Sequence, residues 1–152
     1  MKYIIAMLCF AVISVTQINA QNTSIIKTLL DNKQYVFVPQ SITTNHGRNR
    51  QLDNSYFLKL KNDSLVVYLP YFGRAYSAPI NTSDAGFDFT TTNFDYSVAA
   101  GKKNSYIVSV KTKDRTFNTE FTITVFDNGT AYLRTSSNDK EPVSFNGSVK
   151  EN

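Results

Sequence analysis

The single histidine of the chain, His46, is its only general base of the kind that activates serine or cysteine nucleophiles. It lies in a polar stretch, residues 43–50, beside Arg48 and Arg50. No Gly-x-Ser-x-Gly sequence occurs that would expose a serine nucleophile at a sharp turn. A lone histidine near arginines is more often a solvated surface residue than part of a triad. We therefore expect no catalytic residues of this class, and we interpret residues 43–50 as a hydrated loop and a candidate for disorder.

Metal and carboxylate chemistry has few candidate residues. The only cysteine, Cys9, lies in an N-terminal apolar run, so no thiolate or disulfide is expected in the rest of the chain. Isolated carboxylates and one histidine form no cluster with metal-ligand spacing, and we expect no metal and no other cofactor. Two carboxylates for glycoside hydrolysis would have to meet in the folded chain, because the spacing selects no pair among Asp84, Asp88, Asp95 and Glu120.

The basic side chains do not predict a nucleic-acid partner. The formal net charge of +4 is spread along the chain, which favours solubility more than binding to polyanions. His46, Arg48 and Arg50 lack the interleaved aromatic residues that single-strand binders use. No glycine-rich phosphate loop precedes a helix, so nucleotide chemistry is not expected either.

Residues 1–20 have the pattern of a cleaved signal peptide. Lys2 supplies positive charge, residues 4–15 are an apolar run, and Ala20 is the small residue after which we expect cleavage. The run is shorter than the roughly twenty residues that a transmembrane helix needs, so no transmembrane segment is expected after cleavage. The residues before Cys9 lack the small side chain typical of a bacterial lipoprotein site.

The remaining residues, 21–152, have the size of one domain. A small exported eukaryotic domain would more often contain disulfides, so their absence favours a bacterial envelope protein, periplasmic or secreted.

The elements that would position any site are almost all strands. Apolar residues at helical spacing predict one short helix over residues 24–31, and from Tyr35 onward the hydrophobic period is two. This pattern predicts an all-β fold, an antiparallel meander of about nine strands. Since one open sheet of that size would expose an apolar face, we expect a lipocalin-like barrel or a sandwich. Outside the two hairpins below, strands are expected at Val36 to Ile42, Gly86 to Thr90, Phe94 to Val98, Tyr106 to Lys111 and Val143 to Val149.

Two hairpins have a register that the sequence predicts. With a two-residue turn at Asn62-Asp63, the first hairpin forms one apolar face by pairing Leu60 with Leu65, Leu58 with Val67 and Tyr56 with Leu69.

The second hairpin spans residues 117–135 and turns at Asp127-Asn128-Gly129. A two-residue loop would set Ile123 opposite Arg134, whereas a three-residue loop with Gly129 in the left-handed conformation pairs Val125 with Ala131 and Ile123 with Leu133. We predict the three-residue loop, which leaves Thr122 opposite Arg134 on the other face.

The stretch after the first hairpin, residues 69–79, is rich in aromatics and prolines, and it carries a family resemblance. Together with later segments, it resembles a family of exported Bacteroidota proteins known as domain of unknown function 4251, over about residues 33–150. The segments that carry the resemblance are Leu69-Pro70-Tyr71-Phe72-Gly73-Arg74-Ala75, Gly86-Phe87-Asp88-Phe89, Asp127-Asn128-Gly129-Thr130-Ala131 and Val143-Ser144-Phe145-Asn146-Gly147.

The resemblance implies a Gram-negative envelope location and supplies no activity. Many relatives have a longer N-terminal region or a lipoprotein cysteine, and this sequence lacks both. The triplet Asp63-Ser64-Leu65 is similar to the acceptor for O-glycosylation of exported proteins in that phylum, which makes Ser64 a candidate acceptor.

The loop between Pro70 and Pro79 is the candidate binding segment, and two interpretations stay open. In the first, rigid aromatics and a forked guanidinium form a recognition surface, with Tyr71, Phe72, Arg74 and Tyr76 as candidate binding residues. In the second, the aromatics close one end of the core and Arg74 pairs with a carboxylate such as Asp84 or Asp88.

The function expected from the sequence is a non-enzymatic, exported binding domain for a small molecule, a glycan or an envelope protein. It would bind through the loop or through the mouth of a barrel. The alternatives are a glycan-directed hydrolase with gathered carboxylates and a structural or inhibitory protein without a ligand cavity.

Overall fold

The computed structural model describes residues 25–74, residue 76, and residues 86–114 and 118–152. The signal peptide predicted at residues 1–20 lies outside these ranges. The described chain contains helix α1, residues 25–31, and ten strands. The strands are β1 (Gln34–Thr44), β2 (Asn49–Gln51), β3 (Phe57–Lys61), β4 (Ser64–Leu69), β5 (Phe87–Thr91), β6 (Phe94–Ala100), β7 (Ser105–Thr112), β8 (Thr119–Phe126), β9 (Thr130–Ser137) and β10 (Val143–Glu151).

The two-residue hydrophobic period places apolar side chains on one face of each long strand. In β8, Phe121, Ile123 and Val125 are fully buried, while the intervening threonines are only partly covered. Val108 and Val110 of β7 are likewise fully buried. Burying these side chains against one another is the main driving force for folding the sheet, at about 25 cal/mol per Å² of apolar surface.

One antiparallel sheet curls into a nearly closed barrel. Its strand order is β5-β4-β3-β1-β10-β9-β8-β7-β6, with β2 paired to β1. Because every pairing along this path is antiparallel, β5 and β6 at its two ends run in the same direction. Only residues 92 and 93 separate them, so they are two parts of one bent strand. That strand pairs first with β4 and then with β7, which brings the two edges of the sheet together.

The first hairpin has the predicted register. Leu60 lies opposite Leu65 and Leu58 opposite Val67, and the two-residue turn has Asn62 at a φ of 54°. The left-handed conformation is tolerated better by asparagine than by most residues, which explains its position in this turn. The ladder begins at Phe57, so Tyr56 lies just outside it and instead stacks on Tyr68, with ring centroids 5.4 Å apart.

The second hairpin confirms the three-residue loop. Ile123 lies opposite Leu133, Val125 lies opposite Ala131, and Gly129 has a φ of 81°. A residue with a Cβ would be strained at that angle, whereas glycine adopts it freely.

Residues 43–50, which the sequence suggested as a hydrated loop and a candidate for disorder, form an ordered hairpin in which residues 45–50 are exposed. The backbone amide of Thr44 donates to the carbonyl oxygen of Arg48 at 2.9 Å, and Thr43 lies opposite Asn49. The reason is the length of β1, because β3 pairs only with its first part, from Gln34 to Phe37. Beyond Phe37, the edge of β1 pairs with β2 instead. No alternation of apolar residues in the sequence predicts that pairing.

A bulge in β1 depends on a glycine in the neighbouring strand. The pairing of β1 with β10 shifts register between Pro39 and Ser41, and Gly147 lies opposite Pro39. A Cβ on Gly147 would come within 2.2 Å of the carbonyl oxygen of Val38. Only glycine permits the two backbones to approach this closely.

The two ends of the barrel are closed in different ways. At one end, α1 inserts Ile26 and Leu30, and the Tyr96 hydroxyl donates to the carbonyl oxygen of Leu30 at 2.7 Å. Burial raises the pKa of Tyr96 to about 12, and it raises the pKa of the neighbouring Tyr35 well above its ordinary value. At the opposite end, Tyr71 packs against Phe87, which in turn packs against Phe121. Within the described ranges, no helix has the length and apolar composition needed to cross a bilayer.

Candidate binding rim and the adjoining cleft

Three segments meet at the Tyr71 end of the barrel, and we call them together the rim. They are the β1–β2 connection with the start of β2 (residues 45–50), the segment after β4 (residues 70–74 with Tyr76) and the β9–β10 connection (residues 138–142). Each is joined to another by side-chain or backbone contacts described below. The rim contains all four residues that the sequence suggested for binding, Tyr71, Phe72, Arg74 and Tyr76.

Tyr71 is a buried residue that holds the rim segments together. Its side chain is only 7% exposed and packs edge-on against Phe87, with ring centroids 5.8 Å apart. Its one hydroxyl hydrogen is shared between two carbonyl oxygens, that of Arg74 at 2.5 Å and that of Glu141 at 3.1 Å. Burial raises the pKa of Tyr71 to about 12, so the hydroxyl stays a donor at neutral pH. Tyr71 therefore positions the rim and presents little surface to a ligand.

Phe72 projects outward and carries an arginine on its ring. Its side chain is 42% exposed, and the guanidinium carbon of Arg50 lies 4.2 Å from the ring centroid. Contacts between a cation and an aromatic face contribute about 0.5–1 kcal/mol at exposed sites. The stacked pair therefore holds a cation and an aromatic ring in one defined arrangement at the surface.

The backbone around Arg74 and Tyr76 is fixed by the β9–β10 connection. The amide of Glu141 donates to the carbonyl oxygen of Arg74 at 3.0 Å, and the amide of Tyr76 donates to that of Asp139 at 2.7 Å. The side chains of Arg74 and Tyr76 are exposed. Within the described ranges the Arg74 guanidinium forms no ion pair.

Of the two carboxylates suggested as partners of Arg74, the structure describes only Asp88. Asp84 lies outside the described residues, and Asp88 is exposed on β5 opposite Tyr68.

Two charged residues of the β9–β10 connection also contribute to the rim. The ammonium of Lys140 donates to the carbonyl oxygen of Gly86 at 2.8 Å and lies 4.8 Å from the ring centroid of Phe87. The Glu141 carboxylate faces His46, with 3.6 Å between Oε2 and Nε2. The Glu141 side chain is 13% exposed, whereas the His46 side chain is 56% exposed.

Two of the carboxylates suggested for glycoside hydrolysis, Asp95 and Glu120, have different partners. Asp95 pairs with Lys113 at 2.6 Å, and Glu120 accepts a hydrogen bond from Ser109 at 3.2 Å. In the register, Lys111 lies between Asp95 and Glu120, so a whole strand separates them. Among the described residues, no group of three or more histidine, cysteine or acidic side chains is placed to hold a metal ion.

The candidate O-glycosylation residue, Ser64, is the first residue of β4 and follows the turn at Asn62-Asp63. The Asp63 side chain is 91% exposed, whereas Ser64 is half-buried.

Beside the rim, a cleft of about 270 Å³ lies on the outer surface where β1, β10 and β9 adjoin. Its lining includes hydroxyl, amide, aromatic and guanidinium groups, from Thr43, Thr44, Asn45, Tyr132, Arg134 and Ser144. The sequence analysis suggested none of these residues as a binding residue.

A family model that matches most of the chain identifies its family. The profile of the family described as Domain of unknown function (DUF4251) matches residues 17–149. The chain belongs to the DUF4251 family. The resemblance stated from the sequence is thus confirmed, and the match begins earlier than residue 33.

A solved structure is similar to this DUF4251 chain. It is the crystal structure of a DUF4251 family protein from Bacteroides eggerthii DSM 20697, with a TM-score of 0.64 and 13% sequence identity. The similarity covers 87% of this chain and 89% of that chain. At this identity the likeness establishes the fold alone. No curated protein matches the chain.

Sequence reasoning missed three residues that build the rim of this DUF4251 domain: Arg50, Lys140 and Glu141. Arg50 was noted only as part of a hydrated loop. The contacts that place these residues join separate parts of the chain, and Tyr71 and Glu141 are 70 residues apart. No local pattern of residue types reports such a contact.

Proposed function

We propose that this DUF4251 chain is an exported, non-enzymatic binding protein of the bacterial envelope, and that its rim binds an acidic partner. The proposed contact residues are Arg50, Phe72, Arg74 and Tyr76. Tyr71 supports them from below through its two hydrogen bonds.

The observation that carries the proposal is the stacking of Arg50 on the exposed ring of Phe72. Phe72 and Tyr76 are both large, exposed side chains of the rim, and a group of exposed apolar side chains marks an interaction surface more often than a single one does. Arginine and aromatic residues are also enriched among the side chains that contribute most to binding at interfaces.

The rim is held in shape before any partner arrives. Backbone hydrogen bonds of 3.0 and 2.7 Å fix the segment that carries Arg74 and Tyr76. A surface that is already ordered loses less conformational entropy on binding, which favours affinity.

The exposed charge of the rim is mainly positive. Three arginines of the rim are exposed, Arg48, Arg50 and Arg74, against one exposed carboxylate, Asp139; the Glu141 carboxylate is mostly covered and faces His46. A partner with negative charge would therefore be attracted by the rim, and an arginine fork suits carboxylate oxygens in particular.

The test uses poly-L-glutamate as an acidic probe in biolayer interferometry. Replacing Arg50 and Arg74 together by glutamine should weaken binding roughly fivefold, since exposed charge pairs contribute about 0.2–1 kcal/mol each. Phe72→Ala should add to the loss. Binding of the unmodified protein should weaken with added salt, because exposed charges are screened.

The matched control replaces Lys102 and Lys103, exposed in the β6–β7 connection at the other end of the barrel, by glutamine. This control also removes two positive charges, and it should leave the binding of poly-L-glutamate nearly unchanged. Equal losses in the two double variants would mean that the probe senses net charge only, and the proposal would then be wrong.

Export has its own test. The full-length chain, expressed in a Gram-negative host, should appear in the periplasmic or secreted fraction and begin at Gln21 by N-terminal sequencing. Retention of residues 1–20 would contradict the proposed location.

A further inference from the structure

We propose that the rim binds its acidic partner as an added β-strand. The outer edge of β2 pairs with the backbone of an extended peptide in antiparallel orientation, and Arg48 and Arg50 hold acidic side chains at alternate positions of that peptide. This inference rests on the function proposed for the rim, and it names the class of partner, a polypeptide segment in extended conformation.

The outer edge of β2 is open. This strand, Asn49–Gln51, lies off the main path of the sheet and pairs with β1. Among the described residues, no backbone hydrogen bond joins β2 to any strand other than β1. All three of its residues are exposed. An uncovered edge strand presents unpaired amide and carbonyl groups, which are a template for pairing with another chain.

The register of the β1–β2 pair shows which backbone groups point outward. In an antiparallel pair, residues that bond to the partner strand alternate with residues whose amide and carbonyl groups point away from it. The amide of Thr44 donates to the carbonyl oxygen of Arg48 at 2.9 Å, so Arg48 faces β1. Two residues further along, Arg50 does the same. The amide and carbonyl groups of Asn49 and Gln51 therefore point to the open edge.

Two arginines lie on one face of this edge. Arg48 and Arg50 are two positions apart in an extended segment, so their side chains lie on the same face of β2. Both are exposed, and within the described ranges neither guanidinium forms an ion pair. In an antiparallel strand added beside β2, the residues opposite these arginines are also two apart. Acidic side chains at those two positions would meet both arginines.

An extended peptide uses both features of the edge. An acidic sugar or the surface of a folded acidic protein would satisfy the arginines, but it would leave the outward groups of Asn49 and Gln51 without a strand to pair with. Addition of a strand to an open sheet edge supplies affinity through the main chain and specificity through alternate side chains. Phe72 helps, because its ring lies 4.2 Å from the Arg50 guanidinium carbon and leaves the edge of that fork free for a carboxylate.

The test titrates a heptapeptide, Thr-Glu-Val-Glu-Val-Glu-Thr blocked at both ends, into the protein and follows binding by isothermal calorimetry. With glutamates opposite the arginines, the valines lie opposite Asn49 and Gln51, so the valine amides bond to β2 and the glutamate amides point away. Methylating both valine nitrogens should therefore lower the affinity about tenfold or more. Methylating the glutamate nitrogens should leave the affinity nearly unchanged.

A matched pair of variants tests the same contact from the protein. Gln51→Pro removes one outward amide and leaves the hydrogen bonds to β1 in place, and proline is tolerated where an edge strand turns its amide to solvent. It should lower the affinity for the heptapeptide about fivefold, whereas Gln51→Ala, which keeps the amide, should not change it. Both variants should keep the melting temperature of the unmodified protein.

Equal affinities for the two methylated peptides would overturn strand addition, as would equal affinities of the two Gln51 variants for the unmodified peptide. If poly-L-glutamate still binds through Arg50 and Arg74 in that case, the function proposed for the rim stands and only the added strand is wrong. Equal losses in the two double variants described above overturn the function itself.

Discussion

Substitutions of Tyr71 test whether this residue supports the rim, in contrast to its exposed neighbour Phe72. Tyr71→Ala removes a ring that is 7% exposed and that contacts Phe87 edge-on at 5.8 Å. Truncation of a buried aromatic residue to alanine costs about 3–5 kcal/mol. Tyr71→Phe keeps the ring and removes only the hydroxyl that joins the carbonyl oxygens of Arg74 and Glu141. That change should cost about 1–2 kcal/mol.

Phe72→Ala is the matched control for this prediction. Its ring is 42% exposed, so the variant loses partial burial and the contact with Arg50, about 1 kcal/mol in all. The order of destabilisation should therefore be Tyr71→Ala, then Tyr71→Phe, with Phe72→Ala close to the latter.

The assay is urea denaturation followed by far-ultraviolet circular dichroism, because the chain has no tryptophan for fluorescence. In a domain of this size, a loss of about 3–5 kcal/mol lowers the melting temperature by roughly 6–20 °C. If Tyr71→Ala destabilises the protein no more than Phe72→Ala, then Tyr71 does not close the barrel end and the argument for a preformed rim fails.

Three further predictions concern the barrel itself. Gly147→Ala should cost about 3 kcal/mol or more in urea denaturation, since its Cβ would come within 2.2 Å of a backbone oxygen on β1, and a cost below about 1 kcal/mol would contradict the close approach. Thr135→Val should cost about 1–3 kcal/mol because it leaves the backbone amide of Val143 unpaired. Thr44→Val should be neutral or stabilising, because the Thr44 hydroxyl has no hydrogen-bond partner in the described chain. Equal costs would refute this difference between the two hydroxyl groups. The free energy of unfolding should fall as the pH rises from about 10 to about 12. In the unfolded chain, Tyr71 and Tyr96 ionise with the ordinary pKa of 10.0, whereas in the folded protein they stay protonated up to a pKa of about 12. Urea denaturation at about pH 8 and about pH 11 should show this loss, and Tyr96→Phe should reduce it; an unchanged difference in that variant would count against burial as the cause.

The local registers were predictable because they depend on short-range rules. A hairpin pairs residues that are close in sequence, and the alternation of apolar residues permits one register that buries a continuous face. Ile123 and Leu133 face each other for this reason, and the left-handed glycine in the turn follows from the loop length that their pairing requires. Helix α1 was also predictable, from the helical spacing of its apolar side chains.

The sequence singled out the candidate binding segment but not which of its aromatic residues are buried. Aromatics and prolines singled out residues 69–79, yet the sequence could not say which ring turns inward. Tyr71 is buried and Phe72 is exposed because Phe87 and the β9–β10 connection cover one side of the segment and leave the other side open.

The sequence by itself determined an all-β fold, the registers of the two predicted hairpins and the short helix α1, because strand period, turn residues and helical spacing are local properties. Only the tertiary structure decided that one bent strand, β5 with β6, closes the sheet into a barrel, that Arg50 stacks on Phe72, and that Thr43, Ser144 and Arg134 form one row. These arrangements join segments that are far apart in the chain. Their geometry is set by how the whole sheet twists and closes, and a local pattern of residue types carries no information about that closure.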